Sequence, residues 1–86
     1  MERRNLLFYT DPGHGWLEVQ YTDLLRLGVE KYISSYSYSH QGCVYLEEDC
    51  DAGVFLDAAK KACWELSIRD RYDENTPIRN YRRYRP

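Results

Sequence analysis

Between residues 43 and 66 the spacing of apolar residues changes along the chain. In "CVYLEEDC" Val44 and Leu46 alternate with Cys43, Tyr45 and Glu47, the two-residue period of a strand. Beyond it Ala52, Phe55, Leu56, Ala59, Ala62 and Cys63 recur at steps of three and four, with Asp57, Lys60 and Lys61 between them. That is an amphipathic helix over roughly residues 52–64. "LSIRDRY" returns to alternation, with Leu66 and Ile68 on one face. A strand that runs directly into a helix and out into another strand needs a sheet, with the helix laid on one face of it.

The upstream half supplies the rest of the sheet. "NLLFYT" and "WLEVQ" flank the turn residues "DPGHG", which predicts a β-hairpin with Leu17 and Val19 on its apolar face. "TDLLRLGV" predicts a short helix near residues 23–27, with Thr22 as cap, Asp23 at the positive end and Gly28 in the left-handed terminal position. Val29 is then expected to fold back onto Leu24 or Leu25. "KYISSYSYSHQGCVYLEE" predicts a second hairpin turning at Gln41-Gly42, which sets Tyr38 opposite Tyr45 and Tyr36 opposite Glu47. The order is ββαββαβ: an α+β fold, one antiparallel sheet of about five strands with two helices on one face. Residues 1–78 form the domain, and 79–86 a basic aromatic C-terminal tail.

A chain of 86 residues supports one small core. A core of that size leaves room for a partner subunit, a homodimer included. A net charge of −2 gives no general attraction to nucleic acid or membrane, and no apolar run is long enough to span a bilayer. The opening "MERRNLLFYTD" has too short an apolar stretch for a signal peptide, so an intracellular protein is expected. Three cysteines (Cys43, Cys50, Cys63) without a CxxC pair suggest neither a disulfide framework nor a zinc site.

Glu47, Glu48, Asp49, Asp51 and Asp57 crowd the strand–helix junction. The first explanation is local: Asp51 precedes the apolar stripe and can cap the helix, with Glu48 and Asp49 in the favourable field of its N-terminus. A divalent metal site would need convergent carboxylates, and Glu47 and Glu48 point to opposite faces of a continuing strand. No metal or cofactor is therefore expected. The further reading is an acidic surface for a basic partner, carried by Glu47, Glu48 and Asp49.

Tyr36, Tyr38, His40, Cys43 and Tyr45 fall on one face of the second hairpin, while Ser35, Ser37, Ser39, Val44 and Leu46 fall on the other. Small serines leave space for helices on their side, which would put Tyr36, Tyr38 and Tyr45 on an open face suited to protein contact. "IRNYRRYRP" interleaves Arg79, Tyr81, Arg82, Arg83 and Tyr84, a pattern able to contact phosphates and stack on bases. Nucleic acid, if bound, is expected only through that tail. Folded across residues 47–51, the same tail would instead form an ion-pair arrangement. In "DPGHGW", Asp11 could orient His14, but no nucleophile stands beside them, and no catalytic residue is assigned.

"GHGWLEV", "ISSYSYSHQG", "VYLEEDCDA" and "TPIRNY" together resemble a group of small uncharacterised proteins of tailed bacteriophages, prophages and other mobile elements. The resemblance spans most of residues 13–81 and brings no established activity to any residue. It implies a setting, a small accessory protein in a bacterial host cytoplasm. It also implies a mode of action: binding a host or phage protein or complex, including those of antiviral defence such as CRISPR. The expected function is non-enzymatic binding of such a macromolecule. The alternatives are a nucleic-acid-binding protein using the tail and a small enzyme using the Asp11/His14 loop.

Overall fold

The computed structural model describes residues 2–86. Its strands are β1 (Arg3–Thr10), β2 (Gly15–Gln20), β3 (Tyr38–His40), β4 (Cys43–Glu47), β5 (Glu65–Tyr72) and β6 (Arg82–Arg83), with helices α1 (Tyr21–Leu27) and α2 (Ala52–Lys61). Short 3-10 turns lie at Glu30–Tyr32 and Pro77–Asn80. The strands form one sheet in the order β5-β1-β2-β4-β3-β6. Every neighbouring pair is antiparallel except β1 and β5. The α+β class and the expected element order are therefore found, with β6 as a sixth strand. The parallel pair follows from α2: a helix that crosses the sheet returns the chain in its original direction, so β5 runs with β4 and hence with β1.

Periodicity decides what each face buries. Leu17, Val19, Val44 and Leu46 join Leu24 of α1 and Phe55 and Ala59 of α2 in the main core, so both helices cover the same face. Helix α1 starts without a side-chain cap, and Thr22 does not serve as one. Asp23 instead lies buried and accepts two hydrogen bonds from the Arg4 guanidinium, at 2.8 and 3.0 Å. Arg4 also stacks over Trp64, 4.7 Å from the ring centre. At the other end Gly28 takes φ 71°, and the amides of Gly28 and Val29 donate to the carbonyls of Leu25 and Leu24. Val29 is buried in one cluster with Leu24, as its position after a left-handed cap dictates.

The second hairpin differs from expectation in length. Gln41 and Gly42 both have positive φ, 48° and 84°, as a two-residue turn of this kind requires, and Tyr38 pairs with Tyr45. Strand β3 begins only at Tyr38, however. Tyr36 lies outside the ladder, because Ser34–Ser37 close into a turn with the Ser37 amide on the Ser34 carbonyl.

The opposite face of the sheet, expected to be open, is covered as well. Trp16 and Tyr45 are buried there beneath Ile78, with Tyr9, Tyr38, Cys43 and Tyr81 packed around them. The cover is the C-terminal segment. Thr76 caps its 3-10 turn, β6 pairs with β3, and Tyr84 passes the sheet edge to join the main core. The division at residue 78 thus falls within a 3-10 turn, and the expected tail is built into the domain.

Helix α2 ends in a six-to-one turn, with the Trp64 amide on the Ala59 carbonyl and the Cys63 amide on the Lys60 carbonyl. Cys63 occupies the left-handed position at φ 60°, where a Cβ is strained and glycine is not. Its side chain is exposed and packs no core. Cys63→Gly should therefore raise stability by about 1 kcal/mol in chemical denaturation; a loss would show that the thiol has a contact worth more than the strain.

Candidate functional site

The acidic junction is organised from beneath by Asp51. It stands directly before α2, but its carboxylate makes no bond to the helix's own amides. It reaches across the fold to accept from the Ser34 amide at 3.0 Å, the Ser34 hydroxyl at 2.7 Å and the Ser37 hydroxyl at 2.5 Å. The Ser37 hydroxyl in turn accepts from the Glu47 amide at 2.9 Å. Asp51 is 3 % exposed and Ser37 fully buried. The expected local cap is thus a tertiary anchor, its carboxylate bonded to serines of a preceding segment in place of the amides of the first helical turn.

Above this anchor the chain turns through residues 47–50. The amides of Cys50 and Asp51 donate to the Glu47 carbonyl, and the Glu47 carboxylate accepts from the Asp49 amide at 3.0 Å. The Glu48 amide donates to the Gly15 carbonyl. Gly15 sits so close to the Phe8 ring that a Cβ there would meet it at 2.7 Å, with the Glu48 carboxylate at 3.1 Å. Glu47 extends from β4 on the opposite face, alongside Trp16. The two glutamates diverge, and among the described residues no three His, Cys, Asp or Glu side chains come together as a metal ion would require.

A groove of about 380 Å³ lies beside this turn, lined by His14, Trp16, Tyr36, Tyr38, Glu47, Asp49, Cys50, Arg79 and Arg83. It unites acids, tyrosines and arginines from three separate stretches of sequence. Two of its lining residues are held by Asp11, which accepts from the amides of Gly13 and His14 and takes Arg79 in a two-point ion pair at 2.6 and 3.0 Å. The Arg79 guanidinium lies over Trp16, 5.4 Å from its ring centre. Arg79, followed by the loop amides, holds the Asp11 carboxyl far below the usual carboxylate range. Both Asp11 oxygens are therefore committed to other donors, and the carboxylate does not orient the His14 imidazole as the enzymatic alternative required. The exposed Cys50 thiol is pushed up, chiefly by Glu47, which disfavours the reactive thiolate.

The expected contact residues separate by accessibility. Tyr45 is a correction: at 7 % exposed it is part of the second core, and its hydroxyl donates to Glu18 at 2.7 Å. Burial and that carboxylate raise its phenol well above the ordinary value. Tyr38 is half-buried between Trp16 and the Arg83 guanidinium. Tyr36 is 64 % exposed, and Glu48 and Asp49 are exposed on the turn that follows β4.

The nucleic-acid set of the alternative reading is also redistributed. Arg79 serves Asp11, Tyr81 stacks on His40 with ring centres 4.0 Å apart, and Tyr84 is buried with its hydroxyl on the Glu30 carbonyl. Arg82 and Arg83 remain exposed, with Arg83 held to the Ser35 carbonyl at 3.0 Å. The sequence offered one overlooked signal for this, the Thr-Pro-Ile run at residues 76–78. It marks a capped turn with an apolar residue to bury, rather than a free tail.

Comparison with known proteins gave no match among family models, curated sequences or solved structures.

Two outcomes follow from the anchors. Asp51→Ala should cost about 3 kcal/mol, since three donors lose a charged acceptor, against about 1 kcal/mol for a simple cap; urea denaturation distinguishes the two values. For Asp11 the folded-state pKa is depressed, so its stabilisation is complete above the ordinary carboxylate range and is lost as pH falls below about 4. Acid titration of tryptophan fluorescence should show that loss, and Asp11→Asn should flatten it while keeping the loop amides satisfied.

Proposed function

We propose that this protein is a non-enzymatic accessory protein that binds a macromolecular partner carrying a basic surface. The contact is made by Tyr36 with Glu47 and Asp49 on one groove, and Glu48, on the other side of the turn, adds to the acidic field. One observation carries this reading: an aromatic side chain 64 % exposed stands on the same groove as Glu47 and Asp49, although a separate sequence segment supplies it. Exposed tyrosine is costly to leave in water and favourable at interfaces.

Electrostatics support the same surface. Among the described residues the ion pairs occupy Glu2, Asp11, Asp23, Asp57 and Glu65, and none involves residues 47–49. Those acids keep their field for a partner, which it would steer at low salt. The resemblance to small phage and mobile-element proteins sets this binding in a bacterial host, where a host defence complex is one class of target. Nucleic-acid binding is less favoured, because Arg79, Tyr81 and Tyr84 are occupied inside the fold.

The test is a salt series of binding to a basic partner purified from the bacterial host, with a random oligonucleotide as comparator. Tyr36→Ala, Glu48→Lys and Asp49→Lys should each weaken the partner complex roughly tenfold at low salt, and the charge effects should shrink as salt rises. Arg82→Ala, outside the groove, should leave it unchanged, whereas Arg82→Ala with Arg83→Ala tests the oligonucleotide. Tight oligonucleotide binding that disappears with those two arginines would overturn the proposal.

A further inference from the structure

At the edge of the sheet far from the acidic groove, β5 is an eight-residue strand with a partner on one side only. Its ladder to β1 is bounded by the Glu65 amide on the Glu2 carbonyl and the Asp73 amide on the Thr10 carbonyl. Successive residues of a strand aim their backbone groups to alternate sides, so the odd-numbered residues of β5 bond to β1. Leu66, Ile68, Asp70 and Tyr72 consequently present their N–H and C=O groups outward. An unpaired row of this length is a template for another strand.

We infer that β5 pairs antiparallel with β5 of a second copy of this chain, joining two sheets into one across a two-fold axis centred on Ile68. A two-fold axis perpendicular to the sheet keeps each face on its own side, so only residues of like parity can stand opposite. Charge then selects the register. Centring on Arg69 sets that arginine against itself, and centring on Asp70 opposes two aspartates and sets Arg69 against Arg71. Centring on Ser67 pairs only residues 65–69. Centring on Ile68 pairs residues 65–71: Glu65 meets Arg71 of the second copy on both sides of the axis, and Ser67 meets Arg69.

The same register suits the backbone, and it sets Ile68 against Ile68 while Leu66 stands opposite Asp70. Leu66, Ile68 and Asp70 become the hydrogen-bonded positions, matching the side to which their amides already point. Glu65 and Arg71 fall at non-bonded positions, where opposed side chains are closer. Ile68, 43 % exposed, neighbours buried Leu6 on β1, so an Ile68–Ile68 contact extends the main core across the edge. Among the described residues Arg69, Asp70 and Arg71 form no ion pair within the chain, and the Glu65–Arg3 pair is exposed and weak. The mixed signs of Glu65 and Arg71 are complementary under the two-fold operation.

The test is the mass of the full chain by sedimentation equilibrium from low to high micromolar concentration. A monomer–dimer equilibrium is expected. Arg71→Glu, which opposes two acids at each end, should weaken the dimer roughly tenfold, and adding Glu65→Arg should restore it. Ile68→Pro removes an outward amide without touching the ladder to β1 and should give a monomer with native circular dichroism. A monomer throughout the concentration range, or a dimer indifferent to Arg71→Glu, overturns the inference. The charge pair keeps the test decisive if Ile68→Pro fails to fold. Failure here leaves the acidic surface untouched, because the two lie at opposite ends of the sheet.

Discussion

The buried carboxylate of Asp51 is the constraint to which most of the architecture refers. Around it meet the turn at residues 34–37, the end of β4 and the start of α2, joined through the hydroxyls of Ser34 and Ser37. The Ser37 carbonyl also accepts from the Tyr84 amide, so the C-terminal segment is tied to the same point. A buried carboxylate is tolerated only where donors replace its lost water, and serine hydroxyls and amides meet that condition here. The arrangement closes β3 at three residues and turns Tyr36 out of the sheet and into solvent. The exposed aromatic thus follows from satisfying a buried charge.

An ion pair performs the corresponding task on the other face. Trp16, Tyr45 and Ile78 would leave a large apolar area in water if the C-terminal segment were free. Arg79 holds that segment down by binding Asp11 while covering the Trp16 ring, so one guanidinium satisfies a buried acid and shields an aromatic. The stacking of Tyr81 on His40 and the burial of Tyr84 complete the closure. With both faces occupied, a small chain gains a second apolar cluster that a half-open sheet would lack.

These two closures leave distinct surfaces at the two ends of the sheet. Near β4 the surface is acidic with one projecting tyrosine, suited to a partner of opposite charge. At β5 it is a backbone edge carrying charges of both signs, the surface inferred to pair with a copy of itself. Paired through β5, two chains would present two acidic surfaces at the far ends of a continuous sheet. Such a dimer could engage a symmetric or repeated target at two points, gaining from the second contact without any further interface.

The local elements were legible in the sequence because they depend on local physics. The apolar alternation of Val44 and Leu46, the helical stripe around Phe55 and Ala59, the Gln41-Gly42 turn and the left-handed Gly28 each act within a few residues. The divergence of Glu47 and Glu48 follows from the same strand period. The role of Asp51 was not legible, because a carboxylate before a helix has the same sequence signature whether it bonds its own helix or a serine seventeen residues away. Nor was the burial of Tyr45 and Tyr84. Whether an aromatic face is wet depends on where a distant segment lies, and the Asp11–Arg79 pair that places it joins residues 68 apart. Periodicity by itself determined which residues share a face; tertiary structure decided which faces are covered, because long-range ion pairs and burial leave no trace in local spacing.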